Sequence, residues 1–229
     1  MENRLLSNNM LNRLITTLIF IPIITYIIIN DGILFNLLLG FTFILSCYEL
    51  VKIINKKILM LWNTKVMWLM VILIYLFLSF LSFKCCRLHN QGCLIIMILF
   101  FCIWVFDIAA YLIGMLIKGP RLCPKVSPKK TWSGLIGGIL AVFFLPSLVF
   151  DTIFTKIFIY NFGLVTRYHL CLIGIIGQIG DLMQSYFKRQ FNVKDSGHIL
   201  PGHGGILDRL DSLYLSSILI YCIVSFNLH

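Results

Sequence analysis

The chain has 229 residues, of which 59% are hydrophobic and only 12% charged. Soluble domains carry about 25% charged and roughly 45–50% apolar residues, and a chain this short cannot hide the excess in one core, so lipid must be part of its solvent. The net charge of +10 does not argue for nucleic acid as a partner, because basic residues of a membrane protein collect in cytoplasmic loops and set its orientation.

Apolar runs near the length of a membrane span, about 20 residues, fall at 14–30, 32–48, 67–83, 93–117, 134–150, 168–187 and 207–227. The first has the position of a signal peptide. Its run is long, however, and Asn30-Asp31-Gly32 is not a small-residue cleavage site, so an uncleaved anchor is expected. The last is clean only from Leu213 to Phe226 and reaches span length by taking Asp208–Ser212 in with it. With a cytoplasmic N-terminus and seven alternating helices, only Lys84, Arg87, Lys156 and Arg167 of the 19 lysines and arginines lie outside. That asymmetry is the one the positive-inside rule demands. The expected fold is therefore all-α. It is a polytopic bundle of about seven transmembrane helices in one membrane domain over 1–229, with N-terminal helices over 1–100 and catalytic helices and cytoplasmic loops over 101–229.

The eight cysteines show no C-x-x-C and no metal-like spacing with histidine. Cys47, Cys102, Cys171 and Cys222 lie in apolar runs, where cysteine behaves as a small hydrophobe. Cys85, Cys86 and Cys93 cluster in one loop region and leave room for a single bridge, but no disulfide framework is expected.

The polar residues that interrupt the apolar pattern begin at Asp107, inside the fourth span. An ionisable residue there is expensive and is by default a functional candidate; the alternative is a carboxylate that pairs with a loop lysine and only fixes packing. The following loop, Lys118–Ser133, reads KGPRLCPKVSPKKTWS. Pro120, Pro124 and Pro128 forbid a continuous helix. Its basic residues serve topology and attraction to anionic lipid, while Ser127, Lys129, Lys130 and Thr131 in tandem also suit phosphate.

The densest region runs from Gly177 to Ser212. Gln178, Asp181, Ser185 and Lys188 are spaced i, i+3, i+7 and i+10 and make one polar stripe on an otherwise apolar helix. Asp208 and Asp211, at i and i+3, are expected to share a face at the start of the last helix. Between the two lies a loop with Gly197, Gly202, Gly204 and Gly205, whose backbone N–H groups can approach an anion closely. Asp181, Asp208 and Asp211 near one interface are hard oxygen donors of the kind Mg²⁺ uses together with substrate phosphates. Lys188, Arg189, Lys194 and Arg209 stand around them. Carboxylates, cations and a glycine loop together point to metal-assisted phosphoryl or nucleotidyl transfer. Mutual ion pairing is the alternative, but adjacent residues such as Asp208 and Arg209 do not face each other on a helix. There is no G-x-x-x-x-G-K-[ST] loop for an ordinary nucleotide triphosphatase. Ser127 and Ser185 have no supported triad with His198 or His203.

The stretch Ser185-Tyr-Phe-Lys-Arg-Gln-Phe-Asn-Val-Lys-Asp-Ser-Gly-His-Ile-Leu-Pro-Gly-His-Gly-Gly-Ile-Leu-Asp-Arg-Leu-Asp211 resembles the signature of the phosphatidate cytidylyltransferase (CDP-diacylglycerol synthase) family. Asp107-Ile-Ala-Ala-Tyr111 with Gly114, and Ser127-Pro-Lys-Lys-Thr-Trp-Ser-Gly134, resemble the same family in the same order. Tyr48-Glu49 is a weak echo of it, and Ser133 stands where the family often has Glu. The resemblance implies CTP and phosphatidic acid as substrates, CDP-diacylglycerol and pyrophosphate as products, and Mg²⁺ as cofactor. The carboxylate cluster leaves room for a second cation such as K⁺.

Carried onto this sequence, the resemblance implies that Asp181 and Asp208 hold the metal with Asp211 close by, and that Lys188 and Arg189 face phosphate. Ser127, Lys129, Lys130 and Thr131 would form the cytoplasmic side of the pocket that Asp107 lines. Ser185, Lys194, Asp195, His203, Gly204, Gly205 and Arg209 are expected to contribute to substrate binding. The expected location is the bacterial inner membrane, multi-pass, with membrane lipid as partner, and a homodimer remains open. Two rival readings are a different lipid-linked CTP-dependent transferase and a cation-coupled transporter in which Asp107 and Asp181 form an ion path.

Overall fold

A computed structural model of the chain describes residues 22–30, 32–57, 61–153, 167–197, 199 and 204–226, with backbone alone at 146–153. Helical residues 22–30 precede α1 (Gly32–Lys56), α2 (Trp62–Leu88) and α3 (Gly92–Ile117). A two-stranded hairpin, β1 (Arg121–Cys123) and β2 (Ser127–Thr131), leads into α4 (Trp132–Ile153), α5 (Arg167–Gln190) and α6 (Asp211–Phe226). The all-α class expected from the apolar runs holds, with the hairpin as its one addition among the described residues. Residues 14–21 of the first expected span lie outside the described residues.

α1, α2, α3 and α5 are each long and apolar enough to cross a membrane, which makes the chain a multi-pass membrane protein. The 26 residues of α3 run about 39 Å at 1.5 Å per residue, more than the ~30 Å hydrocarbon core. α6 has 16 residues and spans only about 24 Å. Large side chains such as Ile33 (67%), Leu116 (76%) and Phe226 (82%) are exposed on the protein's surface; a soluble monomer does not leave such apolar surface to water, and lipid covers it here.

The helices from α1 to α5 run further than their apolar runs, because the end turns stay helical. α1 continues past residue 48 to Lys56 and so places Glu49 inside a helix, with Glu49, Leu50, Ile53 and Ile54 buried. The last helix differs in the other direction. Asp208 and Asp211 do not share its first turn: α6 begins at Asp211, and Asp208 lies in the turn before it. The N–H groups of Gly205, Ile206 and Leu207, which an earlier helix start would leave without carbonyl partners, are taken up by the side chains of Asp208 and Glu49 instead.

Between spans, helix and glycine geometry decides the packing. A membrane interior offers no hydrophobic drive between helices, so small residues that allow close approach, and hydrogen bonds across the gap, take its place. Phe106 of α3 wedges against Gly138 of α4 and Gly174 of α5. Gly114 faces Gly134, and a Cβ added to Gly114 would meet the Thr131 hydroxyl at 2.8 Å. On α5, Gly177 and Gly180 receive α6. The backbone carbonyl of Asp211 passes 2.8 Å from where a Gly180 Cβ would stand. α6 in turn ties itself to its neighbours by buried hydroxyls: Ser217 with Ser79 of α2 at 2.8 Å, Tyr214 with Ser46 of α1 at 2.6 Å, and Ser216 donating to the Ile173 carbonyl of α5 at 3.0 Å. All eight cysteines are free in this structure.

The three prolines of the 118–133 loop are absorbed by the hairpin. Lys118 (φ 59°) and Gly119 (φ 105°) end α3 with two consecutive positive φ angles, and Pro120 follows as a stop. Arg121 then pairs with Thr131 and Cys123 with Ser127, with an irregularity between Arg121 and Cys123. Pro128 is tolerated because a two-stranded hairpin consists only of edges.

Candidate active site at one end of the bundle

The polar stripe of α5 exists as the spacing predicts, and each member has an identifiable partner or environment. Gln178 is buried. Ser185 donates to Asp181 Oδ1 at 3.2 Å. Asp181 Oδ2 forms an ion pair with Lys130 of β2. Lys188, buried at the last turn of α5, donates from Nζ to Asp208 Oδ1 at 2.6 Å. The hairpin thus reaches one carboxylate of the site, and the loop before α6 supplies another.

Asp208 is held from two sides. Its Oδ2 accepts the N–H of Ser196 at 2.7 Å and of Gly205 at 3.4 Å, while Oδ1 takes the lysine. Burial acts to raise its pKa, but the Lys188 ammonium and the Ser196 donor more than offset this, and the carboxyl sits below its ordinary value. Gly204 next to this cradle has φ 86°, a conformation that favours glycine.

Asp211 opens α6 and accepts the N–H of Ser212 at 2.8 Å. Because Gly180 allows α6 to lie directly on α5, Asp211 comes within electrostatic reach of Asp181, Lys188 and Lys130. Asp107 of α3 is in reach of Lys130 and Asp181. Three carboxylates, Asp107, Asp181 and Asp211, therefore surround one lysine, and Asp208 with Lys188 stands beside them. Among the described residues no group of three His, Cys, Asp or Glu side chains forms a metal cage by itself. The donor set still suits Mg²⁺, which uses one or two carboxylates and takes its other ligands from water and substrate phosphate.

Other residues singled out by sequence are placed differently. Thr131 ends β2 and caps α4: its Oγ1 accepts the N–H of Gly134 at 3.1 Å and pairs with Ser133 Oγ at 3.1 Å, the bond an N-cap residue makes to the third helical N–H. Ser133 also donates to the Lys118 carbonyl, closing the base of the hairpin. Arg189 is exposed and turns back to donate to the Val193 carbonyl at 3.1 Å. Lys129, Lys194, Asp195 and Arg209 are exposed, and Ser127 is half-buried. His203 lies outside the described residues.

One residue that the sequence reading noted only within the weak echo Tyr48-Glu49, and did not place in the site, is central. Glu49 of α1 is fully buried, and its carboxylate accepts from Ser196 Oγ at 2.7 Å and from the N–H groups of Ile206 and Leu207 at 3.0 and 2.9 Å. The signal was present in the sequence as a carboxylate directly after a long apolar run. Ending the span at residue 48 hid it.

Residues 58–227 match the model of the cytidylyltransferase family. The chain belongs to that family. Among curated proteins it is 44% identical over 134 residues to the phosphatidate cytidylyltransferase of Rickettsia conorii, covering 55% of this chain and 56% of the relative. It is 44% identical over 133 residues to that of Rickettsia bellii, covering 56% and 57%. With the Brucella suis protein of the same name it shares 45% identity over 126 residues, covering 55% and 45%. The chain spans about half the length of the curated relatives it matches. The site residues other than Glu49 lie inside the family match.

Proposed function

We propose that this chain transfers CMP from CTP to phosphatidic acid, giving CDP-diacylglycerol and pyrophosphate. The observation that carries the reading is the pair of lysine–carboxylate contacts, Lys130–Asp181 and Lys188–Asp208, brought together at one end of an apolar bundle. Lysines already matched to carboxylates can be re-partnered by phosphate, and carboxylates so released can accept a cation. Membership of the cytidylyltransferase family and the names of the relatives support the same reaction.

In that reaction a phosphate oxygen of the lipid bonds to the α-phosphorus of CTP, the bond from that phosphorus to the bridging oxygen breaks, and pyrophosphate leaves with the electron pair. The lipid phosphate is ionised at neutral pH, so no general base is required. Positioning and neutralisation of charge carry such transfers. Lys188 and Lys130 neutralise phosphate charge, and exposed Arg189, Lys129 and Lys194 draw the nucleotide toward the site. Asp181 and Asp208, with Asp211 at hand, would hold Mg²⁺, which would supply compensation of phosphate charge; K⁺ would be a second cation for the same carboxylates. The site faces the cytoplasm at the inner membrane, where CTP arrives from water and the lipid enters sideways from the bilayer.

The deciding experiment feeds radiolabelled CTP and phosphatidic acid to the purified chain in detergent or liposomes and identifies the lipid product. CDP-diacylglycerol is expected. A product carrying a polyprenol tail would assign a different lipid-linked transferase. Cation or solute flux through the liposomes without label in lipid would support the transporter reading and overturn the transfer.

A further inference from the structure

A carboxylate with no exposed surface in an apolar bundle is costly unless its hydrogen-bonding capacity is met. Glu49 satisfies this through neutral donors. Its contacts are Ser196 Oγ and the N–H groups of Ile206 and Leu207. All three donors lie on the loop that delivers Asp208, two of them in the residues directly before it. Ser196 faces both ways, giving its hydroxyl to Glu49 and its N–H to Asp208. Gly205 likewise gives its N–H to Asp208 while its α-carbon borders the Glu49 carboxylate.

The glycines of the loop reflect this arrangement. A Cβ on Gly205 would stand 2.6 and 2.7 Å from the two Glu49 oxygens and collide with Ser196 Oγ. One on Gly197 would stand 2.7 Å from Glu49 Oε1. The space that the sequence suggested for an incoming anion at Gly197 and Gly205 is filled by a carboxylate of the protein itself.

We propose that Glu49 is a positioning residue of the transfer reaction: by clamping Ser196 and the 206–207 backbone it fixes the donors that orient Asp208 against Lys188. The proposal rests on the transferase reading given above, and it adds a residue from the N-terminal helices, outside the family match at 58–227, to a site otherwise built from Asp107 onward.

The test is Glu49→Gln in the full chain. The amide keeps the size of the side chain but turns an N–H₂ toward at least one N–H or O–H donor. A supporting group of this kind is worth about 10–100-fold in activity, so kcat is expected to fall in that range while KM for CTP changes much less. A second readout is independent of the reaction. Trypsin cleavage after Lys194 and Arg209 should accelerate as the loop loosens, with cleavage after Lys65 in α2 unchanged, whereas general unfolding would accelerate all three. Ser196→Ala, which removes one hydroxyl and keeps the N–H to Asp208, should show both effects in milder form, and it serves as the test if Glu49→Gln does not fold. Wild-type kcat with wild-type loop cleavage in a folded variant overturns the proposal. Absence of lipid product from the unaltered chain overturns the transferase reading instead, and the cleavage pattern then judges the clamp alone.

Discussion

Lys188 Nζ and Asp208 Oδ1 stand 2.6 Å apart, joining the last turn of α5 to the turn that precedes α6. Both side chains are largely out of solvent, 9% and 11% exposed, so neither charge is tolerated alone: removing one partner of a buried pair costs about 3–5 kcal/mol. The pair is a strut between two helices, and on the proposed reading its lysine would exchange the carboxylate for phosphate.

Asp208→Asn keeps an oxygen for the Ser196 N–H and removes the charge. It is expected to abolish CTP- and Mg²⁺-dependent incorporation while the protein remains inserted in the membrane, as checked by label in lipid normalised to membrane-bound protein. Full activity in that variant refutes the metal assignment. For Lys188→Ala a severe loss of specific activity is expected, and a change confined to yield would reduce the lysine to a strut.

Lys130 and Asp181 should behave as one unit. Lys130→Ala and Asp181→Asn are each expected to lower kcat/KM by at least a hundredfold, and the double variant should be no worse than the poorer single one. Residues in contact show such coupling, whereas independent sites add. Additive losses would mean that hairpin and α5 serve different steps.

The elements of the fold were legible because apolar runs of span length leave few alternatives in a membrane. The α5 stripe was legible for the same reason, since four polar residues on a 3.6-residue period stand out against an apolar background. Pairings were not. Nothing local in the sequence ties Lys188 to Asp208 rather than to Asp181 two stripe positions away, because the choice depends on where the 196–207 loop places its carboxylate. Glu49 was named only as part of a weak echo and not as a site residue, because counting apolar residues stops at the first charge, while a helix continues through a charge that has partners. Thr131 looked like part of a phosphate-binding run and is, in the fold, a helix cap.

Glycine contacts give a prediction about packing. Gly180→Ala would push a methyl group against the Asp211 carbonyl at 2.8 Å and Leu215 Cβ at 3.1 Å. Overpacking of this kind costs about 1–3 kcal/mol, and here it also moves Asp211 away from Asp181, so thermal stability in detergent and activity should fall together. Gly40→Ala is the matched control, because a Cβ there has nothing within 4 Å. It is expected to be neutral or stabilising by up to about 1 kcal/mol. Equal behaviour of the two variants would show that α5 and α6 are not held as closely as described.

Thr131 separates capping from substrate contact. Its hydroxyl accepts the Gly134 N–H at 3.1 Å, and its partner Ser133 anchors the hairpin to the end of α3. Thr131→Ser keeps the oxygen and should keep stability and activity near the starting values. Thr131→Val keeps the shape and removes the acceptor; loss of an N-cap costs about 1 kcal/mol, so the thermal midpoint should drop. Because β2 also carries Lys130, a frayed α4 start should lower kcat through the Lys130–Asp181 pair and leave KM for CTP nearly unchanged. A steep rise in KM with an unchanged midpoint would instead mean that the Thr131 hydroxyl touches the nucleotide directly, and the capping role would have to be given up.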